Sequence, residues 1–332
     1  STLNPFKLKG LYVFDTGLGG TIPTTIGDFR QLTSMQLHET SLRERIPSEI
    51  GQLSLLNRDL TIADCLLTGT LPSEIGQLRQ LQRLIFTNNR LTGTIPTEIG
   101  RMTQLTIFES AYNLLTGSIP TEIGNCVNLQ ALGVFRNTEI NGSITELIDH
   151  MPRGLFRFFL GELSLTGSIP SSIGEFGQLD SIRFQENHLT GSLPSEIGLL
   201  RSLTALDVFG NQMTGSIPST IGLLNSVRSL SMGFNTFNGR LPMQMSLLNQ
   251  LGELEISAND LTGSPGVLAS LASLTSLYIH DNRFDGIGGL CTGKTWVNLA
   301  VNDCSSTPVL SCSCCTVCCR TAGTGSCESI ST

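Results

Sequence analysis

The chain has 332 residues, of which 39% are hydrophobic and 14% charged, with a formal net charge of −7. This mild acidity excludes the basic face that nucleic-acid recognition needs and the polybasic segment that anionic lipid attracts. No run of about 18 apolar residues occurs, so no bilayer-spanning helix is expected.

From the first residue onward the prolines act as a ruler. Pro23, Pro47, Pro72, Pro96, Pro120, Pro170, Pro194, Pro218 and Pro242 recur at spacings of 24 or 25, with one double step of 50 in which Thr145 holds the place in the degenerate run INGSIT. Such self-similarity marks an array of stacked units. No charged-then-apolar leader precedes the first of them, so the chain reads as a mature protein or a fragment. Leu81 to Gln104 is a complete copy, LQRLIFTNNRLTGTIPTEIGRMTQ. Leu81, Leu84, Phe86, Asn89 and Leu91 fall on the pattern L-x-x-L-x-L-x-x-N-x-L. Twelve copies begin at Leu8, Leu32, Asn57, Leu81, Leu105, Leu129, Leu155, Leu179, Leu203, Val227, Leu251 and Leu274, and a truncated thirteenth begins at Trp296.

The first half of each copy alternates at period two, which predicts a short strand with one buried side. Stacked copies then make a long parallel sheet lining a concave face. The asparagine that follows turns the chain, and its amide can satisfy buried backbone groups of adjacent turns. Asn89, Asn113, Asn137, Asn187, Asn211, Asn235, Asn259 and Asn282 form this expected ladder. Thr16, Thr40 and Cys65 can partly substitute, whereas Leu163 cannot hydrogen bond, so a local fault is expected there. In the second half, LTGxIPxxIGxLxx, glycine permits a turn and proline fixes φ and removes a donor, so the return strand is not a regular α-helix. Its two isoleucines close the core from behind.

Several copies depart from the pattern. The copy at Leu32 has Arg43, Glu44 and Arg45 where TGx is expected. Between Asn137 and Leu155 the register slips by two residues, and ELIDHMPRG replaces the usual return. The copies at Leu251 and Leu274 shorten. Residues 1–290 are therefore expected to form the repeat array and 291–332 a cysteine-rich cap and tail. Of ten cysteines, eight crowd into Cys291, Cys304, Cys312, Cys314, Cys315, Cys318, Cys319 and Cys327. They suit four disulfides in any of 105 pairings in an oxidising compartment; a thiolate metal site is the rival. Cys65 and Cys126, inside the array, read as buried thiols.

The repeat resembles the plant-specific leucine-rich repeat class of receptor-like kinase and receptor-like protein ectodomains and polygalacturonase-inhibiting proteins. The tail is similar to the cysteine-rich ends of diatom leucine-rich repeat proteins. The resemblance implies an α/β solenoid, a right-handed superhelix with an irregular or 3-10 convex side and a second small sheet on one flank. It also implies binding of peptides, proteins or small ligands on inner or lateral faces.

No enzyme is expected, and no catalytic residues, metal site or cofactor. His38 and His280 fall ten repeats apart, and no Ser-His-Asp set, H-E-x-x-H, Walker loop or kinase motif occurs. Recurrent pairs such as Ser73-Glu74 and Ser195-Glu196 read as solvated surface. A binding face is the better expectation, because residues flanking the inward leucine point outward from the sheet. The sixth to ninth repeats offer Phe135, Arg157, Phe159, Arg183, Gln185, Asp207 and Phe209 as a candidate patch, with aromatics and arginine as interface anchors. The Arg-x-Arg pair of some plant peptide receptors is absent from these positions. Asn141-Gly-Ser is the one N-glycosylation sequon. The reading is an extracellular, secreted or cell-surface recognition or adhesion module for a protein, peptide or glycan. The alternatives are a self-associating cell-wall or matrix protein and a receptor ectodomain fragment.

Overall fold

The computed structural model describes residues 7–286, Leu290, and three short strands at 298–300, 317–319 and 327–329. The eight tail cysteines and their pairing lie outside the described side chains. The chain divides into two compact units, Ser1–Thr166 and Gly167–Thr332.

In the first unit each coil contributes one strand to a parallel main sheet. The strands are Gly10–Phe14, Ser34–His38, Asp59–Ala63, Arg83–Ile85, Ile107–Glu109, Ala131–Gly133 and Arg157–Phe159. Like positions pair across coils: Leu60 with Leu84, Leu84 with Phe108, and Leu132 with Phe158. All five of these side chains are at most 1% exposed, so the inward file is the core. The second unit repeats the plan with Ser181–Arg183, Ala205–Asp207, Ser229–Ser231, Glu253–Glu255, Ser276–Tyr278 and Asn298–Ala300.

These strands are short because the residue just before the ladder position leaves the β region. In the first unit Asp15, Glu39, Asp64, Asn88, Tyr112, Arg136 and Glu162 all have φ between 45° and 57°. A left-handed non-glycine residue costs about 1 kcal/mol or more. The hydrogen bonds that follow offset it. Asn113 Nδ2 donates to the carbonyls of Ser110 and Ala111 in its own turn and to Phe86 in the preceding coil, at 3.2, 3.1 and 2.9 Å. Its Oδ1 accepts the Leu91 N–H at 3.0 Å. Asn89 and Asn137 make the same bonds, as do Asn211, Asn235 and Asn259 in the second unit. Asn282 does so with Ile256 and Leu261, and Asn187 donates to Phe184 and Gln185. Where asparagine is missing, Thr40 Oγ1 meets Cys65 Sγ at 3.0 Å, and that thiol donates to Ala63 O. The fault expected at Leu163 is filled locally. One extra residue precedes Ile140, and its N–H donates to Asn137 O at 2.9 Å.

Return segments begin at prolines such as Pro47, Pro72 and Pro96 and tighten into five-residue 3-10 turns, Ser48–Gln52, Ser73–Gln77 and Thr97–Arg101 among them. Each packs on the next so closely that a Cβ on Gly76 would lie 2.4 Å from Glu98 O. Before these turns, short strands such as Leu66–Thr70 and Arg90–Gly93 form a lateral sheet in the first unit; Thr214–Ser216, Thr236–Arg240, Asp260–Gly263 and Arg283–Phe284 form one in the second. The segment after Asn141 is different: Ile144–His150 is an α-helix, with Ser143 Oγ accepting the Glu146 N–H and Ile144, Leu147 and Ile148 buried.

Candidate binding face

Strand alternation turns the side chains flanking each core residue away from the core, onto the open face of the main sheet. In the first unit this face starts with Tyr12 and Phe14, each about half exposed, and the Phe14 ring stacks on His38 at 5.4 Å. Asp59 and Arg83, register partners, form an ion pair at 3.1 Å. Further along, half-buried Phe135 meets Tyr112 edge-on at 5.1 Å, and the Arg136 guanidinium lies 5.0 Å from the Tyr112 centroid. Arg136 is fixed by Glu162 at 2.7 Å, and that hydrogen bond and charge push its pKa up. Arg157 is exposed, with its guanidinium over the Phe156 ring, while Phe159 on the same strand is half-buried.

In the second unit Arg183 is the register partner of Asp207. Burial pushes the Asp207 carboxyl up, against the Phe209 N–H and the Ser231 hydroxyl that donate to it and the charge of Arg183. Gln185 is half-buried, with its amide oxygen enclosed. Phe209 and Phe234 lie 4.9 Å apart, tilted by 47°. Burial also raises the Glu255 pKa, although the Ser257 N–H and hydroxyl both donate to it and His280 is nearby. Burial and then the charges of Glu253 and Glu255 raise that of Tyr278.

The seven patch residues thus divide. Phe135, Arg157 and Phe159 sit on the first unit, and Arg183, Gln185, Asp207 and Phe209 on the second. Tyr112, Arg136 and Phe234 were outside the columns read from the sequence. They occupy the left-handed position before the ladder asparagine, and Tyr112 and Phe234 pack against the outward rings. An aromatic residue directly before that asparagine is the signal that marks Tyr112 and Phe234.

Asn141 is exposed on strand Glu139–Ser143, at a cavity of about 230 Å³ lined by Ile119, Glu122, Glu146, Leu147 and Leu165. Cys65 and Cys126 are free and buried, and burial pushes the Cys126 thiol up to about 12. Among the described residues no group of three or more His, Cys, Asp or Glu is placed to hold a metal ion, and no helix is long and apolar enough to cross a membrane.

A leucine-rich repeat family model matches residues 80–102 and 202–224. The chain is a leucine-rich repeat solenoid. Comparison with curated proteins gave no match. Among solved structures the chain is similar to the plant peptide hormone receptor RGFR1 in complex with RGF2, at 30% identity and a TM-score of 0.71, over 89% of this chain and 55% of that one. It is also similar to a TDR receptor, at 26% identity and a TM-score of 0.81, over 89% and 52%. A third is the Arabidopsis receptor kinase HAESA in complex with the peptide hormone IDA and the co-receptor SERK1, at 26% identity and a TM-score of 0.68, over 89% and 58%. The leucine-rich repeat array therefore spans roughly half the length of these receptors and resembles their ectodomains.

Proposed function

We propose that this leucine-rich repeat chain is an extracellular recognition module that binds a peptide or protein segment along the open face of its main sheet. The observation that carries this reading is the outward file itself. Aromatic and arginine side chains stand on the short strands, as Phe159 does, or at the turns just after them, where Phe135, Tyr112 and Arg136 sit beside buried asparagine bonds. Aromatics and arginine dominate interface energetics, and a preformed surface loses little ordering entropy on binding. Similarity to receptors whose structures hold peptide hormones supports the same choice of ligand. In this reading the tail cysteines close the last coil as disulfides, and Asn141, exposed in its sequon, carries an N-linked glycan.

The test is selection of a random dodecapeptide library on the full chain. The synthetic winners are then measured by fluorescence anisotropy against wild type and the variants Phe135→Ala, Phe159→Ala, Arg183→Ala and Phe209→Ala. Affinity is expected to fall at least tenfold in one or more variants that keep the wild-type circular dichroism spectrum. Winners indifferent to every substitution, or no winners at all, would refute the reading.

A further inference from the structure

We infer that the flank of the first unit holds a seat for one sugar ring, the N-acetylglucosamine at the root of an N-linked glycan on Asn141. This rests on the extracellular reading above, which supplies the glycan, and adds where its first sugar lies and what that sugar does. The site exists because one coil returns by an unusual route. Elsewhere one 3-10 turn packs on the next, as Ser73–Gln77 does on Thr97–Arg101. Here the α-helix Ile144–His150 stands where a 3-10 turn would follow Thr121–Asn125. Its last residue is tight against that turn, since a Cβ on Gly124 would run into the His150 carbonyl. Nearer the start of the helix, the cavity of about 230 Å³ separates Glu122 of the turn from Glu146 and Leu147 of the helix.

Asn141 itself lines this cavity. It is exposed, and its register partners on either side, Ser118 and Ser164, are both small. The floor is apolar and recessed: Ile119, Leu147 and Leu165 are 5%, 4% and 1% exposed. The rim is polar, with Ser118, Glu122 and Glu146. Among the described residues the side chains of these three and of Asn141 have no hydrogen-bond or ion-pair partner. An apolar floor under a few polar groups is the make-up of a ligand site, yet drug-sized ligands need about 300–1,000 Å³. The space here suits a single ring. A pyranose lays its C–H face on the floor and turns hydroxyl and acetamido N–H groups toward the two carboxylates, which accept strong charge-assisted hydrogen bonds. An anionic group would meet both carboxylates with no cation among the lining residues. Attachment joins the Asn141 amide nitrogen to C1 of the sugar, as the diphosphate of a lipid-linked oligosaccharide donor leaves C1 and the nitrogen gives up one proton. Nothing is oxidised or reduced. The covalent tether then holds the ring at the mouth of the cavity at high effective concentration, so modest contacts suffice to seat it.

The experiment uses the full chain secreted from eukaryotic cells and trimmed by endoglycosidase to the single N-acetylglucosamine on Asn141, beside Asn141→Gln from the same cells. Mass spectrometry reads occupancy, and amide exchange reads Thr121–Asn125 and Ile144–His150. The inference expects Asn141 to be occupied and exchange in both segments to be slower on the order of threefold with the sugar than without it. Exchange in Ser48–Gln52, remote from the site, should not change. Wild type and Asn141→Gln made with synthesis of the lipid-linked donor blocked, both without sugar, should exchange alike, which assigns the slowing to the sugar and not to the asparagine. Glu122→Ala, which keeps the sequon and the helix cap, should lose most of the slowing in the glycosylated chain. Equal exchange with and without the sugar, an equal difference between the two sugar-free chains, or slowing that Glu122→Ala leaves whole would overturn the seat while the glycan and the extracellular reading stand. A secreted chain unmodified at Asn141 would overturn the seat and the glycan together. Failure of the peptide selection overturns the recognition reading alone and leaves these measurements as they are.

Discussion

Gly76 tests how tightly neighbouring coils are locked. Its replacement by alanine places a methyl carbon 2.4 Å from the carbonyl oxygen of Glu98 and 2.7 Å from Glu98 Cβ. An ordinary carbon–oxygen contact is about 3.3 Å, so the two coils must part by nearly an ångström. They cannot do so by sliding, because the same approach recurs on either side. A Cβ on Gly51 meets Glu74 O at 2.5 Å, and one on Gly100 meets Glu122 O at 2.4 Å. Overpacking of this kind costs about 1–3 kcal/mol, while alanine recovers about 0.4–1 kcal/mol by restricting the unfolded chain. The net expectation is a loss of about 1–2 kcal/mol. Gly177 is the control, since nothing lies within 4 Å of a Cβ built there. Gly177→Ala should be neutral or stabilising by about 0.4–1 kcal/mol. Urea unfolding followed by circular dichroism measures the difference. Because each coil packs only on its neighbours, amide exchange should accelerate first in Ser73–Gln77 and Thr97–Arg101. Equal midpoints for Gly76→Ala and Gly177→Ala would refute the backbone-contact account.

Other expectations follow from single positions. Glu44 has φ 72°, where Gly69, Gly93 and Gly117 sit at 72–74° in later copies; Glu44→Gly should raise stability by about 0.5–1 kcal/mol, net of the glycine's larger unfolded-state entropy, and an unchanged melting temperature would contradict this. Asn113→Ala strands the buried Leu91 N–H and should cost about 2–3 kcal/mol in denaturant titration; a loss below half a kcal/mol would mean the ladder is dispensable. Cys126, its thiol raised to about 12 by burial, should resist iodoacetamide at pH 8 until the chain unfolds. Its folded pKa lies above the unfolded value of about 9, so above pH 9 the unfolded chain loses the proton that the folded chain keeps, and stability should fall as pH rises further. A flat stability profile from pH 9 to 10.5 in wild type, matching that of Cys126→Ala, would remove that link.

Much of the fold was legible because its causes are local. The proline ruler, the alternation in runs such as Leu84-Ile85-Phe86 and the asparagine after them each follow from backbone rules that act within one coil. The helix Ile144–His150 was not read, although Ser143 and Glu146 stand at capping-box spacing; the expectation of a repeat masked it. The turn reading applied to the glycine after threonine and left the glycine of each IG pair without a reason; at Gly76 that reason lies in the adjacent coil, a distance no single copy encodes. The outward columns were legible by alternation alone. Tyr112 and Phe234 escaped that count because left-handed residues end the alternation and turn the side chain by a rule other than period two. That Phe209 and Glu255 close over Gly233 depends on their side-chain conformations, and sequence spacing does not specify those.

The left-handed residue before each ladder asparagine carries a wider implication. For the backbone alone glycine is the best occupant of that torsion, yet among the described coils only Gly210 obliges; tyrosine, phenylalanine, arginine, asparagine, alanine and acidic residues hold the others. Torsional comfort therefore does not dictate the occupant. Each coil has one place at its rim where a side chain can be exchanged at a nearly fixed energetic penalty and without disturbing the core, so recognition properties can drift along the array while the scaffold stays the same.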